Sequence, residues 1–193
     1  MNDTQWPRYE VFKQDTPDKP HQAIGSVHAP DAEMALQNAR DVFVRRPRCH
    51  SLWVAPAAAI LSRTAEELAD APPESEDGGE ADQPTQTFLV FRKTSQRRSM
   101  TFVEHVGEVE AVTPLAALRQ AVAQFTDAAA FVWWIVPASA ISHSDDADID
   151  SLFTPAFDKT YRHQSAYGTV SPLRQKRLHG GSQQEGDNDD GDE

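Results

Sequence analysis

The chain has 193 residues, of which 39% are hydrophobic, and a net charge of −12. This length accommodates one large domain or two small ones around a modest core. The charge is uneven, since residues 62–86 carry eight acidic residues against one arginine and residues 180–193 carry six acidic residues and no basic one. These stretches contribute −7 and −6, so the rest of the chain is nearly neutral. The acidity therefore belongs to two polar segments rather than to the folded modules.

The single cysteine, Cys49, excludes an intrachain disulfide and a cysteine-based metal cage. The start MNDTQWPRYE has neither a basic region nor an apolar run, which predicts no signal peptide. The longest apolar run, AAAFVWWIVPASAI, is too short to span a bilayer and contains Pro137. We therefore expect a soluble, cytoplasmic protein without a membrane partner.

An internal repeat organises the chain. Each copy predicts strand, strand, helix, strand, from short runs of β-branched and aromatic residues and from one apolar stripe with helical spacing. Asp31 and Thr113 stand where they would cap the two helices. The sequence therefore predicts an α+β fold of two tandem ββαβ modules related by a pseudo-twofold. The matching blocks are YEVF (9–12) with FLVF (88–91), AIGSVHAPDAEMALQNARDVF (23–43) with HVGEVEAVTPLAALRQAVAQF (105–125), and LWVAPAAAI (52–60) with WWIVPASAI (133–141).

The repeat and the composition together predict the domain boundaries. Two segments rich in acidic residues and glycine are too polar to bury themselves, so we expect both to be disordered. The predicted parts are a first module (6–61), an acidic linker (62–86), a second module (87–142), a docking tail (151–170) and an acidic tail (180–193).

Motifs for catalysis or cofactor binding are missing from the sequence. The seven histidines include no i, i+4 pair, and there is no E-x-x-H or C-x-x-C. A glycine-rich phosphate loop and a G-x-S-x-G nucleophile turn are also missing. Cys49 and His50 could form a thiolate pair, but neighbours in a loop rarely face each other and the second module has neither residue. We therefore predict no catalytic, metal or cofactor site in this chain.

Charged residues that only the first module keeps indicate a docking surface. Arg40, Arg45 and Arg46 lie near the end of the first helix, where the helix dipole favours bases, but the aligned positions of the second module hold Val, Asp and Ala. Because both modules must fold, we expect these arginines to contact an acidic or phosphate-bearing partner. Nucleic acid fits poorly, since the second module lacks the patch and the flanking segments are acidic. The same comparison assigns Glu10, which aligns with Leu89, to an outward position.

The segment FDKTYRHQSAY (157–167) concentrates polar groups in a few positions. Taken alone, it could be catalytic, with His163 and Tyr161 as an acid–base pair. It occurs once, outside the repeat, and no nucleophile or ligand set accompanies it. We interpret it as a docking segment, since Tyr and Arg are favoured at interface hot spots. The predicted contact residues there are Asp158, Lys159, Tyr161, Arg162 and His163.

Four segments carry a family resemblance: WPRYEVF (6–12), GSVHAPDAEMALQNARDVFVRR (25–46), SLWVAP (51–56) and FTPAFDKTYRH (153–163). Together they resemble the small B subunit of ring-1,2-phenylacetyl-CoA epoxidase, the monooxygenase of phenylacetate degradation. The resemblance covers the first module and the tail. Two departures are the second module inserted between them and Gln164–Ser165, where the family commonly has a proline after the tail histidine.

The resemblance implies a non-catalytic structural and coupling subunit. Its implied partners are a catalytic di-iron ferritin-like subunit, a metal-free ferritin-like subunit and an NADPH-dependent reductase. The di-iron, flavin and iron–sulfur centres would lie in those partners, and the complex would epoxidise the ring of phenylacetyl-CoA with O₂. Fusion of a former homodimer would explain the second module. The residues leave open a free-standing regulatory module that binds a small molecule between its two copies, and whether the tail packs on the first or the second module.

Overall fold

The computed structural model describes residues 5–44, 49–70, 84–96, 102–145, 147 and 149–154. Helices and one antiparallel sheet make up the fold, so the predicted α+β class is confirmed. The elements in chain order are β1 (Arg8–Gln14), β2 (Gln22–His28), α1 (Ala32–Phe43), β3 (Ser51–Pro56), a 3₁₀ turn (Ala57–Ala59), β4 (Leu61–Thr64), α2 (Ala65–Asp70), β5 (Gln86–Lys93), β6 (Glu104–Ala111), α3 (Pro114–Gln124), β7 (Val132–Pro137), a second 3₁₀ turn (Ala138–Ala140), β8 (Ser142–His143) and α4 (Ile149–Phe153). We call β1, β2, α1 and β3 module one, and β5, β6, α3 and β7 module two.

Both long helices begin at the predicted caps. The Asp31 carboxylate accepts a hydrogen bond from the backbone N–H of Met34 at 2.8 Å, and the Thr113 hydroxyl accepts one from Ala116 at 3.1 Å. Each bond satisfies a backbone donor that the first helical turn leaves without a partner. Pro114 follows the second cap, where its fixed φ suits a helix start.

A bulge interrupts the second strand of each module at the same place. The register of β1 with β2, and of β5 with β6, shifts by one residue in mid-strand. Beside each shift lies a glycine with positive φ, +148° at Gly25 and +156° at Gly107. A Cβ added there would lie 2.7 Å from the ring of the phenylalanine at the end of the helix, Phe43 or Phe125. Both the backbone angle and the ring therefore require glycine.

The modules exchange their last strands. The eight strands are ordered β4-β7-β5-β6-β2-β1-β3-β8, and the modules meet where β2 pairs with β6. Strand β4 follows module one but pairs with β7 of module two, while β8 follows module two and pairs with β3 of module one. The short helices behind them do the same, because Leu68 of α2 packs in the core of module two and Phe153 of α4 in that of module one. The segment that follows each module therefore completes the sheet and the core of the other module.

Residues 62–70, which the composition assigned to the linker, form most of β4 and all of α2. A capping box starts this helix: Thr64 N–H donates to the Glu67 carboxylate at 2.7 Å, and Glu67 N–H donates to the Thr64 hydroxyl at 3.2 Å. Two glutamates in the first turn also favour the helix dipole. The acidic residues that suggested disorder are therefore partly helix-starting residues. Residues 71–83 and 180–193 lie outside the described residues.

The sheet folds back on itself. Strands β1 and β5 are separated by two strands, which would place them about 14 Å apart in a flat sheet. The rings of Phe12 and Phe91 nevertheless stack with centroids 4.3 Å apart. The two half-sheets therefore pack face to face around these rings, and α1 and α3 cover the outer faces. The buried residues of this inner cluster are Phe12, Ala23, Ala55, Leu89, Phe91, Val103, Val132, Trp134 and Val136.

Candidate docking surface

Of the eight predicted contact residues, Arg40 is the one that falls within the described residues. It lies in the last turn of α1 with 27% of its side chain exposed. Its Nε and Nη2 atoms both lie 3.1 Å from Asp41 Oδ1, so part of its charge is neutralised on the helix. The others, Arg45, Arg46, Asp158, Lys159, Tyr161, Arg162 and His163, lie outside the described residues.

The outward face of α1 carries two large apolar side chains that sequence reasoning did not select. Met34 is 45% exposed and Val42 is 43% exposed. Asn38 lies between them at helical spacing, whereas Ala35 and Ala39 turn towards the core. This helix therefore has an apolar outer stripe as well as an apolar inner one.

Trp6 lies beside this face and is 60% exposed. Its carbonyl accepts a hydrogen bond from His28 Nδ1 at 2.7 Å, which places the imidazole proton on Nδ1. The His28 carbonyl in turn accepts from the side-chain amide of Asn38 at 3.1 Å. The backbone before β1 is thus fixed against module one while the indole remains exposed. We call Met34, Asn38 and Val42, which share one side of the helix, together with Trp6, the α1 face.

Module two has the same backbone elements as the ones that carry this surface, but it has different side chains at the aligned positions. In the repeat alignment, the three exposed apolar residues of the α1 face become a threonine, an alanine and a glutamine, so the apolar stripe is lost. Arg40 becomes a valine, which is 38% exposed. The aligned residues are Thr85 for Trp6, Ala116 for Met34, Gln120 for Asn38, Val122 for Arg40 and Gln124 for Val42.

The segments that follow α1 and α3 also differ in the charged residues that could form an ion pair with the first strand of the module. Arg92 of β5, 7% exposed, donates to both carboxylate oxygens of Asp127 at 2.7 and 2.6 Å. These bonds hold the pKa of Asp127 below its usual range. The aligned residues of module one are Lys13 and Arg45, two cations that cannot form such a pair. Lys13 instead lies 2.9 Å from Asp15, which leaves the module-one position of Asp127 with a positive charge.

The outward position predicted for Glu10 is wrong. Glu10 is 6% exposed, because the two-residue alternation of β1 places it on the same inner face as Phe12. Burial raises the pKa of Glu10, and the nearby Arg8, whose Nε lies 3.2 Å from Glu10 Oε1, opposes the rise. The side chain is tolerated because Arg8 reaches it from the exposed end of the strand.

Two histidines lie where the modules meet. His21 stacks on Trp53 with centroids 3.5 Å apart, and His105 meets Trp53 edge-on at 5.5 Å. Both Nε2 atoms are buried without a hydrogen-bond partner. Desolvation lowers the pKa of His21 to about 3, with smaller contributions from His105 and His50, and desolvation also lowers the pKa of His105. Both rings are therefore neutral at pH 7 and act as aromatic packing groups.

The remaining candidate chemistry is limited. Burial raises the pKa of Cys49 to about 12, so its thiol is a poor nucleophile at neutral pH. Within the described residues, no three or more His, Cys, Asp and Glu side chains converge to hold a metal ion. Among the helices in that part of the chain, none combines the length and apolarity needed to cross a bilayer.

These features define an α+β protein of two matched modules with one asymmetric apolar surface. The family model described as phenylacetic acid degradation B matches residues 5–77 and again residues 85–174. The chain therefore belongs to the phenylacetic acid degradation B family, which confirms the resemblance seen in the sequence. One relative, the B subunit of 1,2-phenylacetyl-CoA epoxidase from Escherichia coli strain K12, is 43% identical over 67 residues, which cover 35% of this chain and 70% of the relative. No solved structure matches the chain.

Proposed function

We propose that this chain is a structural and coupling subunit, without catalytic activity of its own, of a multicomponent di-iron monooxygenase that epoxidises phenylacetyl-CoA in phenylacetate catabolism. The observation that carries the proposal is the 43% identity to the B subunit of an epoxidase, over 70% of the length of that relative. The chain bridges a catalytic di-iron ferritin-like subunit and a metal-free ferritin-like subunit, and it also contacts the NADPH-dependent reductase. It holds none of their cofactors itself.

The contacts are made by the arginines after α1 and by the tail. Arg45 is the better supported of the arginines, because its aligned residue in module two is an aspartate paired with Arg92. In the alignment Arg45 replaces that aspartate and Lys13 replaces Arg92, so the ion pair of module two cannot form in module one, and the arginine charge can serve an anionic partner. A carboxylate on a partner would supply the anionic group. The proposed contact residues are Arg40, Arg45, Arg46, Asp158, Lys159, Tyr161, Arg162 and His163.

Helix α4 supports a role for the tail next to module one. Phe153 is 4% exposed in the core of module one, and Ile149 and Leu152 pack against the same core. Helix α4, which follows module two in the chain, therefore packs on module one, which carries α1.

Co-expression with the oxygenase subunits tests the proposal. We expect this chain to co-purify with them, and epoxidase turnover with reductase and NADPH to require it, while the chain alone turns nothing over. Arg45→Glu with Arg46→Glu should abolish co-purification and leave the Tm within a few degrees of wild type. The matched control, Gln120→Glu with Gln124→Glu on α3, should still co-purify. Full turnover without the chain would refute the proposal.

The other function considered, small-molecule binding between the modules, has no observation in its favour. It needs an apolar cleft between the copies. In the described residues, that space is filled by the stacked rings of Phe12 and Phe91, with Trp134 edge-on to Phe12 at 6.2 Å.

A further inference from the structure

Two exchanged segments connect the modules. The first exchanged segment is β4 with α2, and the second is β8 with α4. All four residues of β4 pair with β7, and Leu61 and Leu68 pack against the core of module two. Strand β8 pairs with β3, and Phe153 of α4 lies in the core of module one. Each exchanged segment therefore buries apolar side chains in the module that it does not follow in the chain.

The chain crosses between the modules at a turn that both repeats contain. Its sequence is PAAAI (56–60) after β3 and PASAI (137–141) after β7. The first residues have nearly the same backbone angles, with φ −56° and ψ 127° at Pro56 and φ −58° and ψ 133° at Pro137. The last residues, Ile60 and Ile141, each donate the backbone N–H to the carbonyl three residues earlier and pack against the inner cluster. The crossing is therefore encoded by the repeated local sequence.

The connection between the repeats does not cause the exchange. It joins α2 to β5, and both of these elements already pack in module two. The second exchanged segment crosses in the same way, although residues 155–193 contain no third copy of the repeat. What each repeat requires is therefore the presence of another repeat, and not a particular covalent link to it.

Without the second exchanged segment, module one would lose both edge bonds and core packing. Ser144 N–H donates to the Leu52 carbonyl at 2.9 Å, and the Ser144 hydroxyl accepts from Leu52 N–H at 3.1 Å. Removing these bonds would leave an open strand edge at β3. Removing Phe153, which is 4% exposed, would leave a hole in the core. The direct junction of the modules cannot compensate, because the register of β2 with β6 contains the single pair Gln22 and Glu104.

We propose that residues 1–76 and residues 77–193 are obligate complements, so that each half is the binding partner that the other half needs in order to fold. The exchanged segments hold the pair together, and the pair stays associated and folded when the connection between the halves is cut. This inference goes beyond the proposed function, because it assigns module two a role that the docking residues do not give it. Module two lacks the arginines after α1, and it is retained because it completes module one.

The test inserts a protease site between residues 76 and 77 of the full chain and cuts it after purification. We expect the two halves to elute together at the volume of the uncut protein and to keep its circular dichroism spectrum. Phe153→Ala should weaken the association of the cut halves on the order of 100-fold, because it removes a core side chain that the second half supplies to module one. Ser144→Ala is the milder variant, and the loss of its bond to Leu52 N–H should weaken association about 5-fold.

Val122→Ala is the control, because Val122 is 38% exposed on α3 and lies outside both exchanged segments, so the association of the cut halves should not change. Wild-type halves that separate at micromolar concentration after the cut, each with its own cooperative unfolding transition, would overturn the inference. Equal association of the cut wild-type and Phe153→Ala proteins would also overturn it, since the second exchanged segment would then not hold the pair. These measurements use this chain alone, so their outcome is independent of whether the oxygenase subunits bind it.

Discussion

In both modules a phenylalanine at the end of the helix lies over a glycine of the second strand. The two glycines have nearly the same φ, and a Cβ added to either would lie 2.7 Å from the ring. The outward sides of the two helices show no such agreement. Module one presents Met34 and Val42 where module two presents alanine and glutamine. The repeated arrangement of strands and helix therefore serves as an internal control. Features that both modules keep are needed for folding, and features that one module keeps alone call for another explanation.

The same control separates two kinds of charged residue. Arg92 is buried and bonded within module two, so its charge stabilises a loop. Arg45 and Lys13 occupy the aligned positions of module one and cannot repeat this arrangement. The charge of Arg92 therefore has a structural role in module two, which the aligned residues of module one cannot perform. For this reason we propose that the arginines after α1 face a partner.

The largest expected effect falls on the residues that the modules share. Gly25→Ala and Gly107→Ala should each lower the free energy of unfolding by about 3 kcal/mol, because alanine disfavours the positive φ and its Cβ would press into the phenylalanine ring. Urea denaturation of both variants measures this. Losses that differ by more than about 1 kcal/mol would show that the frames are not equivalent.

The next effect should appear in module two alone. Arg92→Met leaves the carbonyl of Phe125, which now accepts from the guanidinium at 2.9 Å, without its buried donor, so we expect a loss of about 2 kcal/mol. Lys13→Met, the aligned change, should cost about 0.5 kcal/mol, since it removes only a partly exposed pair with Asp15. Thermal unfolding of the two variants compares them directly, and equal losses would contradict the distinction drawn between the loops.

A third comparison concerns pH and the junction of the modules. Desolvation lowers the pKa of His21 to about 3, so below its ordinary value near 6.5 the unfolded chain binds a proton that the folded chain does not. Stability attributable to His21 is therefore present at neutral pH and falls as the pH is lowered towards 3. Between pH 7 and pH 5 this amounts to about 2 kcal/mol. His21→Val, which installs the aligned residue Val103, should remove that slope even if it lowers stability overall. An unchanged pH slope in the variant would show that His21 is not the group responsible.

Much of the frame was accessible from the sequence, because local features determine it. The caps at Asp31 and Thr113 and the repeated strand and helix periodicities depend on residues close together in the chain. The strand exchange was not accessible, since β4 and β8 are four and two residues long and periodicity does not say which edge a strand joins. Glu10 was misplaced for a related reason, because a charged letter suggested solvent while the strand alternation placed it inside.

The candidate site was predictable only in part. The comparison of the copies selected Arg40, whose position on α1 the structure describes. It did not select Trp6, Met34 or Val42, because it compared charged and polar positions, whereas these three residues are apolar and only the structure shows that they are exposed. The contrast between an inner and an outer apolar stripe needs the packing of the helix on its sheet, which no single helical period reveals.

The smallest expected effect returns to the shared frame at the helix starts. Asp31→Ala and Thr113→Ala each remove one bond to the first helical turn, which costs about 1 kcal/mol. The loss should be somewhat smaller for Thr113, because Pro114 already restricts the backbone at the start of α3. Hydrogen exchange at the Met34 and Ala116 amides localises the effect, and faster exchange at the mutated cap alone is expected. Unchanged exchange at the amide next to the mutated cap would show that the lost side-chain bond does not order the first turn of that helix.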